Sequence, residues 1–187
     1  LIDYREKAPL QATREMYLDP SGSVVEGLSI ETHMASGVPG TVDGMINIHS
    51  KYGVLLFKDV IQPAIDLARN GFPVTEGQAA DFNANRGNFI SRNRSLPAFA
   101  RDTPWKEGDT LRQPGLARTL ERIRDHGRDG FYSGITARLI IEEMQRGNGI
   151  ITARDLSEYR AVFRDPVSDD YRGHKIISSS PPSGGGI

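Results

Sequence analysis

The sequence predicts an α+β fold that is rich in helix. Apolar residues recur at helical spacing over residues 58–70 and 134–146, and each stretch leads into a glycine. Residues 161–171 and 174–179 form two extended runs that an Arg-Gly turn can join as a hairpin. A strand, then helices, then a hairpin indicate an α+β domain or part of a layered α/β structure.

The first part of the chain is predicted to run from a strand into helices. Residues 1–5 are expected to end a strand, and Pro9 ends regular pairing in the loop that follows. We expect one helical turn at residues 13–18 and a helix at residues 45–52. The glycine-rich stretch 36–44 matches neither G-x-G-x-x-G nor a lysine-bearing phosphate loop, so it is expected to allow close backbone packing instead.

The middle of the chain is predicted to be mostly helical, with one long loop. A helix is expected over residues 75–85, and another is expected to begin near Gly115. Residues 86–101 carry arginines among asparagines and serines, which is typical of a solvated surface loop. Thr152 and Asp155 have the spacing of an N-cap and its capping-box partner, so a short helix is expected after Thr152.

The composition argues against several classes of function. The formal net charge of the 187 residues is −1, so there is no general attraction to nucleic acid or to an anionic membrane. Cysteine is absent, and no apolar run approaches the roughly 20 residues that span a bilayer. We expect neither a metal nor a cofactor, because no histidine has a partner at metal-ligand spacing. The four histidines are His33, His49, His126 and His174.

Arg5 is the candidate binding residue. It follows an apolar stretch, where a rigid element can hold a side chain at the edge of a cleft. A guanidinium there can bind a carboxylate or a phosphate through two parallel hydrogen bonds. Because 23 residues are lysine or arginine, this position alone does not distinguish Arg5.

The motif around Arg5 resembles the signature of gamma-glutamyltranspeptidases. It reads Asp3-Tyr4-Arg5-Glu6-Lys7-Ala8-Pro9. Similar motifs follow in the family's order along essentially the whole chain: GVPGTVDG at 37–44, GFPV at 71–74, WKEGDTL at 105–111, GFYSG at 130–134, YRA at 159–161, YRG at 171–173 and PPS at 181–183.

The resemblance implies an N-terminal nucleophile hydrolase with a four-layer αββα fold. Such enzymes are made as a precursor that cleaves itself, and a threonine at the new N-terminus then attacks the gamma-glutamyl amide. By resemblance, Arg5 binds the α-carboxylate of the glutamyl group. The implied partners are gamma-glutamyl small molecules such as glutathione and a small subunit that carries the catalytic threonine. The implied location is periplasmic or extracellular.

Residues 1–187 are expected to form a single incomplete domain, the middle-to-C-terminal part of the large subunit. The threonine is expected beyond the residues given, so we assign no catalytic residue to this chain and expect it to be inactive alone. One serine fewer than usual stands in residues 182–185. Alternatives are a cephalosporin acylase or a capsule polyglutamate depolymerase of the same superfamily, or an inactive scaffold remnant. Arg5 in an intact motif favours a gamma-glutamyltransferase or glutathione hydrolase over the acylase and the depolymerase.

Overall fold

The structure, a computed structural model, describes residues 1–93 and 96–180. Its helices are α1 (Thr41–Tyr52), α2 (Phe57–Asn70), α3 (Glu76–Arg92), α4 (Pro114–His126), α5 (Asp129–Tyr132), α6 (Gly134–Arg146) and α7 (Ala153–Glu158). Its strands are β1 (Ile2–Asp3), β2 (Phe72–Pro73), β3 (Thr110–Leu111), β4 (Val162–Phe163), β5 (Val167–Tyr171) and β6 (His174–Ser178). The prediction of a helix-rich α+β fold is confirmed.

Local signals fix the ends of several helices. The Thr75 side chain accepts a hydrogen bond from the Gln78 N–H, and Gln78 Oε1 accepts one from the Thr75 N–H at 2.9 Å, which completes a capping box for α3. Thr152 and Asp155 form the predicted capping box of α7. Gly71 ends α2 at a φ of 88°, in the left-handed region that favours glycine.

The strands within the described residues pair as small antiparallel sheets. β5 and β6 form the predicted hairpin, whose turn residues Arg172 and Gly173 have φ angles of 51° and 79°. Such a pair of positive φ angles matches the right-handed twist of a two-residue hairpin. β1 pairs with β4 and β2 pairs with β3, so each of these two short sheets joins segments that are distant in sequence.

Two groups of buried apolar side chains form the core. One lies between the segment before α1 and helices α5 to α7, and its fully buried members include Tyr132 and Leu156. The other surrounds Trp105 and joins α3 to β3. Within the described residues, no helix combines the length and the apolar character needed to cross a bilayer.

Several predicted boundaries near the first strand were wrong. β1 ends at Asp3, so Arg5 lies just past the strand rather than within it. Residues 13–18 form consecutive hydrogen-bonded turns and no helix, and Leu18 then bridges to Val24. Helix α1 begins at Thr41 rather than at residue 45, because the buried Asp43 in its first turn is held by tertiary hydrogen bonds.

The predicted surface loop at residues 86–101 was also partly wrong, because α3 continues to Arg92. Polar side chains of α3 bind a later segment. The Asn83 side chain exchanges hydrogen bonds of 2.9 and 2.8 Å with the Trp105 backbone. The Arg86 Nε donates to the Arg101 carbonyl at 2.6 Å. The Arg86 contact lies beyond residue 85, where the helix was expected to end.

Candidate functional site

A cleft of about 620 Å³ opens beside β1. Its walls come from the N-terminal segment, from the glycine-rich stretch before α1, and from residues near the ends of β4 and β6. It is lined by Leu1, Ile2, Asp3, Tyr4, Arg5, Glu6, Gly37, Pro39, Gly40, Thr41, Arg164, Ser179 and Ser180.

Arg5 is one of the residues that line this cleft. Its side chain is 55% exposed, and the nearest carboxylate oxygen, Glu6 Oε1, lies 3.9 Å from Nη2. That distance is too long for a hydrogen bond. Among the described residues, no side chain or carbonyl occupies the guanidinium fork, so it is available for an anionic ligand.

The backbone of Arg5 is held on both sides. Its N–H donates to Asp3 Oδ1 at 3.2 Å, and its carbonyl oxygen accepts from the Tyr159 hydroxyl at 2.7 Å. The first contact turns the chain out of β1, and the second ties it to the residue after α7. The side chain of Arg5 is therefore exposed while its main chain is fixed.

Asp3 connects Arg5 to the other arginine that lines the cleft. Arg164 Nε donates to Asp3 Oδ2 at 2.8 Å, and the Arg164 N–H donates to the Leu1 carbonyl at 3.0 Å. The Arg164 hydrogen bond, followed by the one from the Arg5 N–H, holds the pKa of Asp3 below its usual value. Asp3 is therefore charged at neutral pH, and it anchors both segments.

The glycine-rich stretch lets the segment that carries Arg5 approach α1. A Cβ on Gly40 would collide with the Tyr159 hydroxyl and with the Tyr4 carbonyl oxygen. A Cβ on Gly44 would collide with the Tyr4 ring. The predicted role of this stretch, close backbone packing, is confirmed.

A buried ion pair lies behind the cleft. Asp43 is 1% exposed, and its Oδ1 accepts from Arg128 Nε at 2.9 Å. Asp43 Oδ2 accepts from the Ala161 N–H at 2.6 Å and from the Asn47 side chain at 3.1 Å. The hydrogen bonds of Asp43 join the start of α1 to the segment between α7 and β4. Burying a charged pair is favourable only when its hydrogen-bonding groups are satisfied.

Arg128 also holds the end of α7. Its Nη2 donates to the carbonyl oxygens of Ser157 at 3.0 Å and Tyr159 at 2.7 Å, and its guanidinium carbon lies 4.6 Å from the Tyr132 ring centroid. Carbonyls at a helix C-terminus have no partner within the helix, and a cation there satisfies them. Arg128 therefore fixes the backbone from which the Tyr159 ring projects.

Two stacked tyrosines complete this support. The rings of Tyr132 and Tyr159 lie 5.7 Å apart with their planes 5° from parallel. The Tyr132 hydroxyl donates to the Pro39 carbonyl at 2.8 Å. Burial raises the pKa of Tyr132 to about 12, and burial followed by the charge of Asp43 raises the pKa of Tyr159. Both hydroxyls therefore remain protonated donors at neutral pH.

The structure places Arg5 and His33, two residues considered in the sequence analysis, in different surroundings. Arg5 lies in the cleft, whereas His33, which had no partner at ligand spacing, contacts Glu143 at 3.0 Å, 110 residues away. Sequence reasoning missed Asp43, Arg128 and Tyr159. Asp43 and Tyr159 fall within the family-like motifs, but nothing in their spacing pointed to each other or to Arg5.

Comparison with known proteins identifies the family. The family model described as gamma-glutamyltranspeptidase matches residues 1–187. The chain belongs to the gamma-glutamyltranspeptidase family. It is 44% identical over 188 residues to a glutathione hydrolase proenzyme of Escherichia coli, covering 100% of this chain and 32% of that protein. The chain thus spans about a third of the length of this relative.

Solved structures place this family member in the N-terminal nucleophile hydrolase fold. The gamma-glutamyltranspeptidase of Helicobacter pylori is 44% identical with a TM-score of 0.93, over 97% of this chain and 53% of that chain. A cephalosporin acylase of Bacillus halodurans is 24% identical with a TM-score of 0.79, over 94% of this chain and 34% of that one. The second likeness shows the shared fold alone, and the predicted fold class is confirmed.

Proposed function

We propose that this chain is part of the large subunit of a gamma-glutamyltransferase or glutathione hydrolase, and that Arg5 binds the α-carboxylate of the gamma-glutamyl donor. The observation that carries the proposal is that Arg5 lines a cleft with its main chain fixed, while among the described residues its guanidinium has no hydrogen-bond partner. A planar fork matches a carboxylate through two parallel hydrogen bonds.

In this proposal the chain binds and orients, and another segment performs the chemistry. A threonine at the N-terminus of a small subunit attacks the gamma-glutamyl amide, and its own amine accepts the hydroxyl proton. The C–N bond then breaks, the donor's amine leaves with that proton, and water or an amino acid resolves the acyl-enzyme. Arg5 fixes the far end of the glutamyl group, so the gamma-carbonyl is presented to the nucleophile in one orientation. The chain alone is expected to be inactive.

The proposed partners follow from this role. The donors are gamma-glutamyl small molecules such as glutathione, the protein partner is the small subunit, and the location is periplasmic or extracellular. No role with nucleic acid is proposed. A related acylase or polyglutamate depolymerase is less well supported, because an arginine with an available fork suits a free α-carboxylate.

Kinetics of the full-length protein test the role of Arg5. We expect Arg5→Ala to raise the KM for a gamma-glutamyl anilide about 30-fold or more, which corresponds to losing at least about 2 kcal/mol of a charged contact. Arg5→Lys keeps the charge without the fork and is expected to recover part of the loss. Arg138→Ala is the matched control, because Arg138 forms an exposed ion pair with Glu142.

A second donor, in which the α-carboxylate is replaced by a carboxamide, separates recognition from general damage. The wild type is expected to use this donor poorly, and Arg5→Ala is expected to treat both donors alike. An unchanged KM for the carboxylate donor in Arg5→Ala would refute the assigned role. N-terminal sequencing of the processed full-length protein tests the enzyme against an inactive remnant: a subunit that begins with threonine is expected, and an uncleaved chain would contradict the proposal.

A further inference from the structure

The position of the Arg5 guanidinium depends on the Arg5 backbone. The side chain is 55% exposed, and within the described residues it has no hydrogen-bond partner of its own. An exposed arginine can adopt many rotamers, and ordering it on binding costs free energy. A contact that fixes its main chain removes the backbone part of that cost without touching the ligand.

Tyr159 makes such a contact, and its own ring and backbone are held by neighbouring residues. Only 2% of the residue is exposed, and its hydroxyl donates to the Arg5 carbonyl at 2.7 Å. The ring stacks on Tyr132, and the Tyr159 carbonyl is bound by Arg128 at 2.7 Å. Gly40 leaves the space through which the hydroxyl reaches the Arg5 backbone.

We propose that Tyr159 is a positioning residue for substrate recognition, which acts by holding the Arg5 carbonyl so that the guanidinium faces the cleft in the binding orientation. This inference rests on the proposed function of Arg5. It adds a residue 154 positions away that is not among the cleft-lining residues and that contacts Arg5 through the Arg5 carbonyl. Burial raises the pKa of Tyr159 from an ordinary value that already lies well above neutral, so its hydroxyl is a donor at neutral pH.

Tyr159→Phe in the full-length protein removes the hydroxyl and keeps the stacked ring. We expect the KM for the carboxylate-bearing anilide to rise about five-fold, the loss for one hydrogen bond, with little change in kcat. Tyr17→Phe is the matched control. The Tyr17 hydroxyl also donates to a backbone carbonyl, that of Met34, at 3.1 Å, and Tyr17 does not line the cleft.

Two further measurements separate positioning from a general structural loss. The ratio of kcat/KM for the carboxylate and carboxamide donors does not depend on how much enzyme is folded, and we expect Tyr159→Phe to lower this ratio while Tyr17→Phe leaves it unchanged. In the Arg5→Ala background, adding Tyr159→Phe is expected to leave the ratio where Arg5→Ala alone sets it.

The outcomes for the two proposals are distinct. An unchanged donor ratio in Tyr159→Phe, or an equal further loss in the Arg5→Ala background, would overturn the positioning role while leaving Arg5 as the carboxylate ligand. A donor ratio that Arg5→Ala itself does not change would instead overturn the proposed function. A fall in the ratio for Tyr17→Phe as large as that for Tyr159→Phe would also refute the positioning role.

Discussion

Replacing Arg128 by methionine is expected to destabilise the protein more than replacing Asp43 by asparagine. The two side chains form the ion pair behind the cleft, but their surroundings differ. The Asp43 side chain is 1% exposed, whereas the Arg128 side chain is 21% exposed. The asymmetry in burial decides which partner is costlier to leave behind.

Arg128→Met leaves a buried carboxylate. Asp43 would keep its hydrogen bonds from the Ala161 N–H and the Asn47 side chain, but it would have no counter-charge from Arg128. Removing one partner of a buried ion pair costs about 3–5 kcal/mol. The carbonyls of Ser157 and Tyr159 would lose their hydrogen bonds from Arg128 but keep those from Arg160 Nη1, at 2.7 and 2.6 Å.

Asp43→Asn leaves Arg128 with more of its partners than Arg128→Met leaves Asp43. Arg128 would still donate to the carbonyls of Ser157 and Tyr159, and its exposed fraction gives it access to water. The asparagine oxygen can still accept from Ala161, so the expected cost is about 1–3 kcal/mol. The double variant is expected to lose less unfolding free energy than the sum of the two single losses, because the residues share one network.

Urea unfolding of the full-length protein, followed by circular dichroism, measures these differences. Arg138→Met is the control, because its partner Glu142 lies on an exposed helix face where ion pairs contribute little. If Asp43→Asn destabilises the protein as much as Arg128→Met does, the carboxylate is not the more costly buried charge. Full additivity in the double variant would show that the pair does not act as a unit.

Two further substitutions test the glycine-rich stretch beside the cleft and the capping box of α7. Gly40→Ala is expected to cost about 1–3 kcal/mol and to raise the KM of the full-length enzyme, because the new methyl group would collide with the Tyr159 hydroxyl. Asp155→Asn is expected to cost about 1–3 kcal/mol at pH 7. Burial opposes ionisation of Asp155, but hydrogen bonds from the Thr152 side chain and from backbone N–H groups outweigh it and hold its folded pKa below 3.8. This contribution is therefore present above pH 3.8 and is lost as the pH falls through the folded value.

For each of these two substitutions, a comparison and a result that would contradict the prediction can be stated. Gly77→Ala places a methyl group in open space on α3 and is expected to leave the thermal midpoint unchanged or raised. Equal midpoints for the two alanine variants would contradict the collision at Gly40. For Asp155, denaturant unfolding at pH 7 and at pH 3 is expected to show a smaller gap between wild type and variant at the lower pH. A gap that widens in acid would reverse the assigned sign.

The elements that the sequence predicted well depend on neighbours in the chain. The capping box at Thr152 and the glycine that ends α2 involve residues within a few positions of each other. The Arg-Gly turn of the hairpin is equally local. Spacing alone carries this information, because the interacting groups are brought together by the helix or turn itself.

Boundaries that failed were set by distant contacts. The α3 helix extends past the expected end at residue 85, and in that part Arg86 binds the Arg101 carbonyl and the Asp102 carboxylate. The strand before Arg5 ends early, since the Asp3 side chain takes the Arg5 N–H while it also binds Arg164, 161 residues away. Propensity gives no sign of such partners.

The sequence by itself determined the helix-rich α+β class, most helix positions, the hairpin and, through a collinear set of motifs, Arg5 as the candidate ligand of a carboxylate. Only the tertiary structure decided what holds Arg5 in place. The Tyr159 hydroxyl lies 154 residues from the carbonyl it binds, and Asp43 lies 85 residues from Arg128. Contacts at such separation are created by the path of the whole chain, and no local pattern of residue types specifies them.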